Sequence, residues 1–316
     1  MKKFYLSALF VVISTISAFA QQRPQYTQYM VNPFLLNPAV SGTEDYADIR
    51  AGYRKQWAGF EGSPRTMYLS AHTNIGKQLV TNNRTRHKKN GFHGIGAIVT
   101  NDAIGPTTTT TFSAAYSYHM KVSKKVFASL GLMGGFNQFS LDGSKLNPGV
   151  PEGLAGQSKM GMGDITVGAW VYSDRFYAGA SMAQIAPSLQ ITKTGQRTEY
   201  TLTKHYFVMA GYSIPLGYDF KLIPSVCIKG ASPAPLSFDI NAKVRYKDFL
   251  WAGVSYRNRD AVAAMVGVII NNMFDISYSY DYVTSGINKY TGGSHEIVVG
   301  YRLRPQGRVI CPSNFW

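Results

Sequence analysis

Cysteine is nearly absent: Cys227 and Cys311 are the only two in 316 residues. So few thiols exclude a disulfide framework and a cysteine-ligated metal centre. One falls in a strand-like stretch and the other near the C-terminus, and a bridge between them stays open. Beyond residue 20 there is no apolar run of the ~20 residues that a membrane-crossing helix needs. Acidic residues are scarce too, 17 against 32 Lys and Arg, for a net charge of +15. That excess suits lipid phosphates, peptidoglycan or an acidic periplasmic partner. It does not suit nucleic acid, because no base-reading module accompanies it and the chain reads as exported.

Catalytic motifs are missing as well. The six histidines, His72, His87, His93, His119, His205 and His295, lack metal-ligand spacing, and neither HExxH nor CxxC occurs. His295 and Glu296 are neighbours on a strand and point to opposite faces, so they make no dyad. Gly94-Ile95-Gly96 is a fragment of a dinucleotide fingerprint with no helix after it. No catalytic residue, cofactor or metal is expected. The remaining enzymatic reading is an outer-membrane hydrolase built from Ser70, His72 and Asp48, whose convergence would be chance.

What the chain does have begins at its N-terminus. Lys2 and Lys3 precede an apolar run from Phe4 to Ile16, then Ala18-Phe19-Ala20 as a cleavage site. Residues 1–20 thus read as a secretory signal peptide. No Cys stands at the cleavage point, which excludes a lipoprotein signal. A diderm bacterial envelope is the implied setting.

Alternation dominates the chain beyond residue 45. Phe274, Ile276, Tyr278, Tyr280 and Tyr282 fall on one face, and Asp275, Ser277, Ser279 and Asp281 on the other. Phe238, Ile240, Ala242, Val244 and Tyr246 are sorted likewise from Asp239, Asn241, Lys243 and Arg245. Period two over about ten residues describes a tilted strand that crosses a bilayer. About fourteen such segments occur, near 47–57, 65–75, 91–101, 107–120, 125–140, 163–173, 175–184, 204–216, 218–229, 236–246, 249–258, 261–270, 273–282 and 294–303. Short turns alternate with longer loops at 141–162, 185–203, 230–235 and 283–293, the asymmetry of periplasmic turns and extracellular loops. The 31 Gly, 21 Tyr and a mean hydropathy of −0.11 fit strands that are half polar with aromatic rims. A soluble β-sandwich would also alternate, but it does not require such long strands so regularly.

The expected fold is therefore all-β, a transmembrane antiparallel β-barrel over residues 46–303 with N- and C-terminal periplasmic extensions. A charge on the lipid face costs a few kcal/mol, roughly 2–4 for a base at the midplane. Arg50, Arg54, Asp239, Lys243, Arg245, Asp275, Asp281, Glu296 and Arg302 are therefore expected to form a lumen charge network. Residues 21–45 do not alternate and read as a periplasmic strap or a lumen plug. Their Tyr26, Tyr29, Met30 and Phe34 are candidate partner contacts, held by turns at Asn32-Pro33 and Asn37-Pro38. The loop 76–90 carries Lys77, Arg84, Arg86, Lys88 and Lys89, and is either a solvated basic loop or a docking surface. Residues 304–316 read as a periplasmic tail with contact candidates Arg308, Phe315 and Trp316.

Motifs spread along the chain resemble one family. Tyr26-Thr27-Gln28-Tyr29-Met30, Asn32-Pro33-Phe34 and Asn37-Pro38-Ala39 open the series. Tyr53-Arg54, Gln56-Trp57, Gly59-Phe60, Gly62-Ser63-Pro64, Leu69-Ser70, Asn101-Asp102 and Ile104-Gly105-Pro106 continue it. It closes with Val254-Ser255-Tyr256-Arg257, the run from Tyr278 to Tyr282, and Gly293-Ser294-His295-Glu296-Ile297. Together they resemble the PorP/SprF family of type IX secretion membrane proteins. The resemblance implies a non-enzymatic outer-membrane component that supports export or surface attachment of cargo. Implied partners are outer-membrane lipid, periplasmic ring lipoproteins and a peptidoglycan-binding subunit, or a large surface adhesin. The ending Cys311-Pro312 with Phe315-Trp316 looks PorP-like and favours the core apparatus. The competing expectation is a passive channel or hydrophobic-solute transporter.

Overall fold

The computed structural model describes residues 23–76, 91–143, 158–185, 188–191, 197–200, 203–231, 234–247 and 249–303. The strands are β1 (Ala47–Lys55), β2 (Arg65–Ile75), β3 (Gly91–Ile104), β4 (Thr107–Lys121), β5 (Phe127–Leu141), β6 (Ser158–Tyr172) and β7 (Phe176–Ala183). A hairpin of β8 (Ser188–Ile191) and β9 (Arg197–Tyr200) follows, then β10 (His205–Tyr212), β11 (Ile214–Leu216), β12 (Phe220–Ala231) and β13 (Ala234–Tyr246). The last are β14 (Leu250–Arg257), β15 (Ala261–Ile270), β16 (Phe274–Val283) and β17 (Ser294–Leu303). Neighbours pair antiparallel in sequence order, and β1 closes on β17, Ala47 opposite Leu303. The result is a closed 14-strand barrel, with β11 as one extra short strand on β12. Closure leaves no open edge in the wall, the condition for a sheet to sit in lipid.

The sequence alternation becomes an inside and an outside. In β16, Asp275, Ser277, Ser279 and Asp281 are buried while Phe274, Ile276, Tyr278 and Tyr282 are exposed. The 10 residues of β17, tilted by about 40°, cover roughly the 25 Å apolar band of an outer-membrane barrel. Tight turns enforce the register. Asn271 and Asn272 both take positive φ, 52° and 55°, the two-residue geometry whose twist matches an antiparallel hairpin.

Several boundaries differ from the sequence expectation. β3 runs on through Asp102 to Ile104, because Gly105 at φ +55° makes the turn there. β6 starts at Ser158, inside what reads as a long loop. The 185–203 loop contains the β8–β9 hairpin. The 204–216 segment breaks after Tyr212, and Pro215, which has no N–H to give, sits in the short β11. β3 to β6 are therefore 14 or 15 residues long, against 8 to 10 in β14 to β17. The wall is taller on one side.

The barrel has a near end, where β1 begins and β17 finishes, and a far end, marked by Lys55 and Ser294. Residues 26–46 fill the space between the walls. Three 3-10 turns, Gln28–Met30, Pro33–Leu35 and Pro38–Val40, fold this segment compactly. Proline starts the second and third, where its fixed φ fits and its missing N–H costs nothing. Every residue of these turns is buried, with Phe34, Ala39 and Val40 at 0% exposure. They pack on inward-facing Trp170, Tyr172, Tyr177, Phe207, Met209 and Met265. Full burial stabilises by about 1.5–3 kcal/mol per large apolar side chain, so the plug and the lower lumen share one hydrophobic core.

Candidate functional site

The plug is the site, and its sequence order runs along the barrel axis. At the far end, the Gln25 amide oxygen accepts from Arg257 Nη1 at 3.4 Å. The Thr27 hydroxyl donates to Asp281 Oδ2 at 2.7 Å and accepts from Arg54 and Arg257, at 2.6 and 2.8 Å. Thr27 N–H donates to Glu296 at 2.7 Å. Asp281 also holds Arg54 at 2.8 Å and Arg257 at 3.1 Å, and Glu296 holds Arg54 at 3.2 Å. Two arginines and two carboxylates thus share one threonine, all buried. Such a cluster is viable only because nearly every charge faces an opposite one.

Further down, Ser277 donates to Gln28 Oε1 at 2.5 Å, Asn241 to the Tyr29 hydroxyl at 2.8 Å, and Asn32 to Ser70 at 2.8 Å. Asn37 is a hinge pin. Its Oδ1 accepts Ala39 N–H at 2.9 Å, and its Nδ2 donates to the carbonyls of Ala169 and Ala180 at 3.1 and 3.2 Å. Ser129 and Ser181 donate to the carbonyls of Ala39 and Leu36, at 2.7 and 2.6 Å. Near the bottom, Ser117 donates to Ser41 O at 2.7 Å, and Asn74 to Glu44 O at 2.5 Å. Wall glycines let the backbones touch: a Cβ at Gly131 would meet Ala39 and Pro38, and one at Gly94 would meet the Ser41 carbonyl.

All nine expected lumen charges face inward and are buried. Asp275 is the centre of one group of ion pairs, and Asp281 with Glu296 the centre of another. Arg50 bridges Asp48 at 3.0 Å and Asp275 at 3.1 Å, and Arg302 joins Asp275 at 3.1 Å. Asp239 pairs with Lys229 at 2.5 Å. Lys243 lies 5.6 Å from the Trp251 ring, and Arg245 is buried on the same face of β13. Sequence reasoning missed Arg257, Lys229 and Thr27, though strand parity places Arg257 inward with Asp239, its β13 partner.

Of the partner-contact candidates, Tyr26, Tyr29, Met30 and Phe34 are buried against the wall, with none on the outer surface. Arg84, Arg86, Lys88, Lys89, Arg308, Phe315 and Trp316 lie outside the described residues, as do residues 1–20, expected to be a signal peptide, nearly all of loop 76–90 and Cys311. Cys227 is a buried free thiol. Of the strap and the plug expected for residues 21–45, the described part takes the position of a plug, within the barrel. Gln25 and Thr27 sit at the far end and Tyr46 at the near end, because the charges that neutralise one another through Thr27 cluster at the far end. Ser70, His72 and Asp48 are spent on structure. Ser70 binds Asn32, His72 Nδ1 accepts Gly42 N–H at 3.3 Å, and Asp48 holds Arg50.

Comparison with known proteins decides the family. The model of the type IX secretion system membrane protein PorP/SprF matches residues 18–301. The chain belongs to the PorP/SprF family. No curated protein sequence matches it. Among solved structures it is similar to the CymD monoaromatic hydrocarbon channel, at 9% identity and TM-score 0.51, covering 89% of this chain and 93% of that one. It is also similar to the Ralstonia pickettii toluene transporter TbuX, at 11% identity and TM-score 0.50, covering 87% and 93%. Identities this low establish the barrel fold alone. Family and fold together make this PorP/SprF protein an integral outer-membrane β-barrel.

Proposed function

We propose that this chain is a non-enzymatic outer-membrane component of type IX secretion that supports cargo export or surface attachment by binding periplasmic and membrane partners. Family membership supplies the system. One observation carries the binding role over a conducting one: a folded, hydrogen-bonded plug fills the lumen. The near end, with turns at 122–126, 173–175, 217–219 and 271–273, is read as periplasmic. In cells lacking the chain, type IX cargo is expected to accumulate in the periplasm, and a tagged chain to co-purify with subunits of the machinery. Unchanged secretion together with an empty co-purification would sink the proposal.

The second reading is a passive channel or hydrophobic-solute transporter, since barrels of similar fold are named channels and transporters. Planar-bilayer recording separates the two. The intact chain is expected to give no large stable conductance steps, whereas a persistent open pore would favour the channel.

A further inference from the structure

The outer wall carries a row of basic side chains at one height. Lys55 stands directly opposite Arg65 on one side and His295 on the other. All three point outward, Lys55 and Arg65 being exposed and His295 half-buried. Gln56 N–H donates to Pro64 O at 2.9 Å, which makes Lys55–Arg65 the adjacent pair without hydrogen bonds. In such a pair the side chains approach most closely, and like charges directly opposite repel.

Among the described residues, neither Lys55 nor Arg65 makes an ion pair or hydrogen bond. The described carboxylates of the fourteen barrel strands, Asp48, Asp102, Asp164, Asp239, Asp275, Asp281 and Glu296, are buried on the inner face, and the exposed Glu61, in the connection between β1 and β2, makes no ion pair with Lys55 or Arg65. The row lies one outward position beyond Tyr53, Met67 and Ile297, exposed residues of the apolar band. That is headgroup level. Tyrosines hold the imidazole: the Tyr278 hydroxyl lies 2.7 Å from His295 Nδ1, and the Tyr280 ring centre 5.2 Å from the His295 ring.

We propose that Lys55, Arg65 and His295 bind the phosphate of a lipid headgroup, and that the lipid is the phosphorylated glycolipid of the outer leaflet. A phosphate offers several strong acceptor oxygens to a lysine and a forked guanidinium, and turns a repulsive pair into a bridged one. The row belongs to the far end, which holds most of the long connections although the one between β2 and β3 lies at the near end; the choice of the outer leaflet rests on the orientation proposed above. The site is separate from the plug and from any partner at the periplasmic end.

The test uses the purified full-length barrel in detergent and native mass spectrometry with lipid A, enzymatically dephosphorylated lipid A, phosphatidylglycerol and inorganic phosphate. The wild type is expected to hold lipid A and to lose roughly tenfold in affinity when its phosphates are removed. K55Q/R65Q should show a similar loss with intact lipid A, and K55R/R65K should restore binding. Heat-modifiable gel mobility checks that each variant is folded. If K55Q/R65Q does not fold, the wild type's discrimination between the two forms of lipid A decides alone. Equal affinity of wild type and folded K55Q/R65Q, or no discrimination by the wild type, overturns the site. Phosphatidylglycerol held as tightly as lipid A, or full displacement by an equal concentration of inorganic phosphate, overturns the assignment to the glycolipid.

Discussion

Gly131→Val is expected to unseat the plug. Gly131 faces the lumen from β5, and a Cβ there would run into the backbone of Pro38 and Ala39. Backbone cannot swing aside as a side-chain tip does. The Pro38–Val40 turn is also fixed from behind by Asn37, which is bonded to Ala39 N and to the carbonyls of Ala169 and Ala180. Overpacking a core typically costs about 1–3 kcal/mol, and a backbone clash without slack belongs at the upper end or beyond. The valine barrel is expected to assemble with residues 26–46 displaced. It should then show chymotryptic cleavage near Tyr26, Tyr29 or Phe34 and conductance absent from the wild type. Gly134→Val, three residues along, meets nothing within 4 Å and serves as the control. Equal protease resistance of the two variants would show that the plug does not depend on this close approach.

Asp281→Ala is expected to be the most costly single charge removal. Asp281 Oδ2 receives Arg54, Arg257 and the Thr27 hydroxyl, at 2.8, 3.1 and 2.7 Å. Its loss leaves two buried guanidiniums with Glu296 and the partly exposed Asp260 as remaining counter-charges. Removing one partner of a buried pair costs about 3–5 kcal/mol, because the other charge stays buried and uncompensated. The far end of the plug should loosen first, since Thr27 loses its acceptor. The readout is the temperature at which gel mobility shifts from folded to unfolded, which should fall well below that of wild type. Asp281→Asn, of the same shape without the charge, should fall in the same direction. Tyr282→Phe, next in sequence and outward, should not move it. A midpoint unchanged in Asp281→Ala would mean that the cluster contributes little to holding the plug.

Both experiments concern the part of the molecule least legible in the sequence. Strand positions could be read because lipid enforces them: within the apolar band an outward residue in β16 or β17 must be apolar, and period two results. Glu296 and Arg302 could be placed inward for the same reason. The plug carries no such imprint. Thr27, Asn32 and Asn37 look like ordinary turn residues, and their partners lie far away in sequence, Thr27 with Glu296 and Asp281, Asn37 with Ala169 and Ala180. The apolar lower lumen was hidden as well. In β6 the inner Trp170 and Tyr172 stand beside the outer Ala169 and Val171, so alternation fades where both faces are hydrophobic.

By itself, then, the sequence determined a barrel of about fourteen strands, its inward charges and the family to which it belongs, because a bilayer outside and a polar cluster inside impose rules local to each strand. Only the tertiary structure decided that residues 26–46 thread the lumen from the far end to the near end. It also decided which inward charges meet and that Lys55, Arg65 and His295 form one row on the outer wall. Those are consequences of register and closure, which bring together residues up to 269 positions apart, Thr27 and Glu296 among them.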